Sequence, residues 1–289
     1  MLETGEHAFV TGPDDAGQRL DRFLSRQTGL SLRAARRLAE AGSVRVDAHP
    51  RPAGYKLCAG RTVTIAITPS VRSTEDVLSS LVAATADYAA FFKPAGLNTA
   101  ALAGVSGPSL EALLPRLCPE RSVILLNRLD RDTSGLVLGA FAAAAAARFR
   151  ALESQGLVDK RYLAVVIGEM PAPMTLKWAL DTAHRAKVKV LGMRTPDALR
   201  WTVARPLAYA CGSTLVEARI AKGARHQIRA HLAHAGFPIS GDALYGADHA
   251  GTGLKLHHRQ VTFPGFRAGI RPNWHDVAIF SEYVTDETL

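Results

Sequence analysis

Asn127-Arg128-Leu129-Asp130-Arg131-Asp132-Thr133-Ser134-Gly135-Leu136 is the stretch whose reading decides what this chain is. It sets two carboxylates, Asp130 and Asp132, among two arginines, directly after the apolar run at 122–126 (SVILL). An arginine beside a carboxylate favours its ionised form, so Asp130 is expected to be charged and able to act as nucleophile or base. The same letters also describe a capped turn between a buried strand and a helix, and composition alone favours that reading. Working outward, strand-like runs occur at 88–92 (YAAFF), 161–167 (RYLAVVI), 199–206 and 214–220 (TLVEARI). Residues 226–236 read as a helix with Gln227, Ile228 and Arg229 in its first turn. Strands and helices that mix without strict alternation point to an α+β sheet domain.

The rest of the chain adds a second, more basic part. The 289 residues carry 35 Lys and Arg against 26 Asp and Glu, a surplus of nine. Seven of that surplus fall between Gln18 and Ile67, where ten basic residues face three acidic ones. So concentrated an excess points to a polyanion, nucleic acid above all, rather than to a merely solvated face. Within this window Leu20, Phe23 and Leu24 share helical spacing and Gly29 suits a stop. Ser31 precedes a second helical run to Gly42, which leaves Arg33, Arg36 and Arg37 outward. Short alternating strands follow at 43–47 and 62–67. Cys58, Cys118 and Cys211 are too scattered for a disulfide framework or a metal-ligand pair, as expected in a reducing compartment. No run is long and apolar enough for a membrane span and the opening MLETGEHAFV lacks the basic-then-apolar pattern of a signal peptide, so the expectation is a soluble cytoplasmic protein.

RLDRFL, SLRAARRLAEAGSVRVD and KLCAGRTVTI together resemble the small RNA-binding domain first named from ribosomal small-subunit protein four. Asp47-Ala48 stands where that family has Asn-Gly, and Arg61 where it has Asp. The resemblance implies binding of structured RNA by shape and phosphate contact, with Arg33, Arg36 and Arg37 as contacts. The downstream part resembles pseudouridine synthases of the RluA type. NRLDRDTSGL matches their H-R-L-D-x-x-T-S-G-L motif, FKPAGL at 92–97 their opening K-P-A-G, and DKRYLAVVIG at 159–168 the segment supplying an active-site tyrosine. GARHQIRAHLAHAGFPISGDALYG at 223–246 matches the long closing motif, and LKLHHRQVTFPG the later L-H-A-x-x-L-x-F-P. The expected organisation is therefore a basic RNA-binding domain at 1–70, built of two helices and a small sheet, and a linker or short helix at 71–87. A catalytic α+β domain at 88–289 follows, with a mixed, largely antiparallel central sheet flanked by helices.

The resemblance implies roles residue by residue. Asp130 is the attacking carboxylate, Tyr162 stacks on the flipped base and Arg229 holds Asp130 by an ion pair. Arg128 fills the gap left by the extruded uridine, Ile228 lines the pocket floor, and Lys93, His226 and Gln227 belong to the substrate site. Extruding a base costs a few kcal/mol, which aromatic stacking and phosphate contacts offset. The reaction oxidises and transfers nothing, so no cofactor or metal is expected. Consistently, the chain has no Gly-rich phosphate loop. His226, His231 and His234 are spaced five and three apart, which does not gather them on one helical face as a metal site requires. Ribosomal RNA is the first expected substrate and transfer RNA the second, with the protein acting as a monomer. Asn127 stands where the family has His, Ala224-Arg225 where Arg-Thr or Arg-Ser is common, and no V-H-P follows the first motif, which marks a divergent branch. Two other readings were open: a non-catalytic RNA-binding or ribosome-assembly factor on the same fold, which would be expected to lack one of Asp130, Tyr162 and Arg229, and a hydrolase using Asp130 and His226, for which no nucleophile motif exists.

Overall fold

The computed structural model describes residues 5–40, 42–67, 80–101, 108–183, 187–246, 253–274 and 280. The chain divides into two compact units, Met1–Arg72 and Ser73–Leu289.

In the first unit β1 (Gly5–Val10), β2 (Val44–Val46), β3 (His49–Pro50) and β4 (Thr62–Ile67) form one antiparallel sheet in the order β1-β4-β2-β3. Helices Leu20–Thr28 and Leu32–Glu40 cover it, burying Leu20, Phe23, Leu24, Ala35 and Ala39 against Val44, Val46, Val63 and Ile65. Gly29 ends the first helix in the left-handed conformation, with φ 71°. Asp47 and Ala48 adopt φ 48° and 66° in the turn joining β2 to β3, the backbone that Asn-Gly favours in a two-residue hairpin. Asp21 is fully buried and accepts two hydrogen bonds from Arg19, at 3.0 and 2.8 Å, and two from Arg36, at 3.4 and 3.2 Å.

Among the described residues the second unit is built on a ten-stranded sheet. Its strands are β5 (Leu81–Ala84), β6 (Tyr88–Lys93), β7 (Ile124–Leu125), β8 (Ser134–Ala140), β9 (Asp159–Ile167), β10 (Met174–Leu176), β13 (Thr202–Ala210), β14 (Ser213–Ile220), β15 (Leu256–Phe263) and β16 (Phe266–Gly269). The main path runs β10-β13-β14-β9-β15-β8-β6-β5, with β16 on β15 and β7 on β8. Neighbours are antiparallel except β15 and β8, which run parallel. A separate hairpin pairs β11 (Trp178–Asp181) with β12 (Lys189–Arg194). Alternation along the strands feeds two large cores and a smaller one around Leu163, Val165 and Leu215. Ala89 and Phe91 of β6 join the layer holding Tyr162, Val216 and Ile228, while Tyr88 and Ala90 join Leu138, Phe149 and Phe263. Helices Leu110–Leu117 and Gln227–His234 pack on the first face, and helix Ala143–Ser154 on the second.

Two expectations fail here. The segment after Asp130 enters a strand, β8, not a helix; the helix begins only at Ala143. All seven residues of β8 are buried, and Gly135 and Gly139 leave no Cβ where the chain is tight. A Cβ on Gly135 would stand 2.3 Å from the His258 carbonyl oxygen, so the strands meet here only because the side chain is missing. The expected linker at 71–87 is likewise not all linker. Residues 81–84 are β5, bonded along β6, and 71–79 lie outside the described residues. Among the described residues no helix is long and apolar enough to cross a membrane.

Candidate active site

Asp130 sits on the turn between β7 and β8, and that turn is tied into the loop after β6. Thr99 Oγ1 donates to the Leu129 carbonyl at 2.8 Å and accepts the Leu129 N–H at 3.0 Å. Gly96 N–H donates to the Arg131 carbonyl at 2.8 Å, and Arg131 Nε returns a bond to the Gly96 carbonyl at 3.0 Å. Lys93 joins the two loops from inside. Its ammonium is fully buried and donates to the carbonyls of Pro94 (2.9 Å), Leu97 (2.8 Å) and Arg131 (3.0 Å). Burial pushes its pKa down to about 7 against the opposing charges of Asp132 and Asp130. Asn127 braces the other end, accepting the Leu138 N–H at 2.6 Å.

Arg229 reaches this carboxylate from helix Gln227–His234. Its Nη1 donates to Asp130 Oδ2 at 3.0 Å, while Nε and Nη2 grip Asp242 at 2.8 and 2.7 Å. The Asp242 carboxylate has no exposure and also accepts the amides of Leu244 (2.9 Å) and Tyr245 (3.1 Å). Burial alone would raise its pKa, but Arg229 and the two amides outweigh that and hold it below the ordinary carboxylate value. Arg229 feels the same contest: burial opposes its charge, and the two aspartates raise its pKa. Such a fork–fork pair fixes the guanidinium in two directions, so the third N–H can aim at Asp130. The Asp130 side chain keeps 22% of its surface open.

Tyr162 comes from β9 on the same layer and is nearly buried. Burial, with the charge of Asp130 adding to it, pushes its phenol above the ordinary value, so it stays protonated. The ring is stacked on His258, 4.4 Å between centroids at 14°. His258 stands opposite Tyr162 across β15 and β9, and its Nδ1–H donates to the Leu136 carbonyl at 2.6 Å. Burial drops its pKa to about 3, so it is neutral. Ile228 is buried in the same core layer as Tyr162 and Leu129.

Of the residues singled out from sequence, Asp130, Arg229 and His226 are brought together, with His226 Nε2 3.8 Å from Asp130 Oδ1. Tyr162 and Ile228 line one core layer with Leu129, next to Asp130. Arg128 is exposed on the same turn. Lys93 and Gln227 are bonded to the protein itself. Lys93 has no donor left for a substrate. Gln227 is buried with its oxygen on the Ala224 N–H (2.9 Å) and its amide on the Arg200 carbonyl (2.8 Å) and Thr202 Oγ1 (3.1 Å). Both side chains tie loops of the protein together. In the first unit Arg36 is half exposed while bonded to Asp21, and the side chains of Arg33 and Arg37 lie outside the described residues. His231 is bonded to Thr202 and the Trp178 carbonyl, and His234 stands edge-on to Trp178. Among the described residues no group of side chains fits a metal.

Asp242, Tyr245 and His258 escaped the sequence reading. Asp242 and Tyr245 fall inside the closing motif, and Gly241 before them, at φ 71° and within 2.0 Å of the Gly253 carbonyl for any added Cβ, marks a turn that serves something. For His258 the only signal was an imidazole where the family pattern has Ala.

The RNA pseudouridylate synthase family matches residues 87–234, and the S4 domain family matches 18–63. Ribosomal large subunit pseudouridine synthase C of Salmonella typhimurium is 34% identical over 279 residues, 86% of each chain. The Escherichia coli K12 protein of the same name is 33% identical over the same share, and that of Haemophilus ducreyi 32% over 82% of this chain and 79% of its own. Two solved human structures share the fold. RNA pseudouridylate synthase domain containing 4 has a TM-score of 0.58 at 20% identity, covering 72% of this chain and 94% of that one. Domain containing 1 has 0.57 at 22%, covering 69% and 84%. With a family match over half its length and relatives a third identical along most of theirs, this chain belongs to the RNA pseudouridylate synthases.

Proposed function

We propose that the protein isomerises uridine in large-subunit ribosomal RNA, with Asp130 as the attacking carboxylate, Arg229 as its partner and Tyr162 against the flipped base. The N1–C1′ bond breaks, uracil turns, C5 bonds to C1′, and the proton lost from C5 is balanced by one gained at N1. The reaction needs an aimed carboxylate more than it needs polar groups in number. The observation that carries the assignment is the 3.0 Å contact from Arg229 to Asp130, held by a second, buried carboxylate. Tyr162, kept protonated and apolar-faced, supports a stacking role, and Arg128, exposed beside Asp130, supports insertion into the emptied stack. The basic first unit would strengthen RNA binding electrostatically, so affinity falls steeply with salt. The names of the relatives support ribosomal RNA, and with it the cytoplasmic location.

The test is pseudouridine mapping of ribosomal and transfer RNA from cells lacking the protein, complemented with wild type or Asp130→Asn. One large-subunit site should vanish and return only with wild type. A site lost from transfer RNA instead overturns the substrate, restoration by Asp130→Asn overturns the catalytic residue, and no change in any RNA sinks the whole reading.

A further inference from the structure

The Asp130 carboxylate meets a second polar group at its other oxygen. His226 caps helix Gln227–His234 at φ 53° and ψ 15°, a left-handed conformation that non-glycine residues adopt only where the surroundings impose it. Polar groups stand on both sides of its ring. Nε2 faces Asp130 Oδ1 at 3.8 Å, and Nδ1 lies 3.1 Å from the Tyr245 hydroxyl. A neutral imidazole has one N–H and one lone pair. A lone pair on Nε2 would face a carboxylate, whereas an N–H there turns its positive end toward it. The charge on Asp130, at 3.8 Å, only favours the Nε2–H form; the Tyr245 hydroxyl, at hydrogen-bond distance from Nδ1, enforces it when it donates its proton there. Burial and the charges of Arg229 and Arg225 keep His226 neutral against Asp130 and Asp242.

Tyr245 is held in its turn. Its oxygen accepts the Val188 N–H at 2.8 Å, just before β12, and its single hydroxyl proton has two acceptors in reach, His226 Nδ1 at 3.1 Å and the Val188 carbonyl at 3.2 Å; its backbone N–H bonds Asp242 at 3.1 Å. The Lys187 ammonium, at 4.9 Å, and the Arg229 guanidinium, at 5.4 Å, both stand within cation–π reach of its ring. One side chain thus touches the hairpin, the helix cap and the Arg229 ion pair. We propose that Tyr245 is a positioning residue that sets the His226 tautomer, so that an Nε2–H faces the catalytic carboxylate, and ties that carboxylate to the β11–β12 hairpin through Val188. The proposal rests on the reading of Asp130 given above.

The test uses the full chain and transcribed large-subunit ribosomal RNA labelled with tritium at uridine C5, which the reaction releases. Tyr245→Phe keeps the ring but loses the hydroxyl. Its single-turnover rate at saturating protein should fall about five- to tenfold, as loss of one hydrogen bond implies, with RNA affinity within about twofold. In a His226→Gln background, where an amide N–H replaces Nε2–H and no tautomer remains to be set, the same substitution should change the rate less than about twofold. A full rate in Tyr245→Phe, a loss in affinity rather than rate, or an equal loss in the His226→Gln background overturns the proposal. Asp130→Asn is run alongside. If it stays active, the reading of Asp130 fails and this inference with it; if it is inactive while Tyr245→Phe is fully active, only the inference fails.

Discussion

Asp242 is the group whose removal the structure makes most informative. Its two oxygens accept four N–H groups at 2.7–3.1 Å, two from Arg229 and two from the backbone, with no exposure of the side chain. Asp242→Asn keeps the volume but offers one acceptor oxygen, and turns an NH2 toward a guanidinium N–H. Breaking a buried ion pair typically costs about 3–5 kcal/mol. Arg229 retains Asp130 and is not stranded, which puts the loss near the lower end, about 3 kcal/mol. For a unit of this size each kcal/mol moves the midpoint by about 2–4 °C, so Tm should drop by about 6–12 °C. Arg229 would also lose the grip that aims it, and the single-turnover rate should fall by about tenfold to a hundredfold. The pH dependence has a definite sign. The Asp242 carboxyl is held below its ordinary 3.8 when folded, so its stabilisation is complete well above 3.8 and drains away as pH falls through the folded value. Thermal unfolding followed by circular dichroism at pH 7, 5 and 3 should show the gap between wild type and Asp242→Asn intact at the first two and narrowed at the third. An equal Tm at pH 7, or a gap unchanged at pH 3, would refute the assignment of this stability to the ionised carboxylate.

Two further substitutions probe the scaffold. Lys93→Met leaves the carbonyls of Pro94, Leu97 and Arg131 without a donor while removing a buried charge, and denaturant unfolding should show a net loss of about 2 kcal/mol, with catalysis falling because the Asp130 loop loosens. Unchanged stability would mean that the ammonium contributes nothing to the loop. His258→Ala removes the ring stacked on Tyr162 and its bond to Leu136, and should cost about 2–3 kcal/mol in the same assay, more than its aromatic replacement His258→Phe. Equal losses from the two would show that stacking is not what the imidazole supplies.

Much of the site was readable without coordinates because its residues sit in short motifs whose order is itself the signal. The turn with Asp130, the strand with Tyr162 and the helix opening at Gln227 are each local, and local spacing is what a sequence displays. The internal bonds of Lys93 and Gln227 were hidden for the converse reason. A lysine in a motif reads as a contact for anionic substrate, and nothing in the letters shows that three carbonyls converge on it. β8 was misread because its seven buried residues, rich in small and aliphatic side chains, run on toward an alanine stretch that is helical. Between strand and helix the deciding factor was the sheet on either side, with His258 approaching Gly135 too closely for any Cβ.

By itself, then, the sequence determined the two-part plan, the basic first unit, the α+β class and the three side chains expected to perform the chemistry, since charge surplus, periodicity and motif order depend only on neighbours along the chain. Tertiary structure alone decided how Asp130 is aimed. Asp130, His226, Arg229 and Asp242 span more than a hundred residues, and their distances follow from sheet register and helix placement. Whether a guanidinium meets one carboxylate or two, and which imidazole nitrogen carries the proton, depends on those distances and on burial, where each unpaired polar atom is expensive.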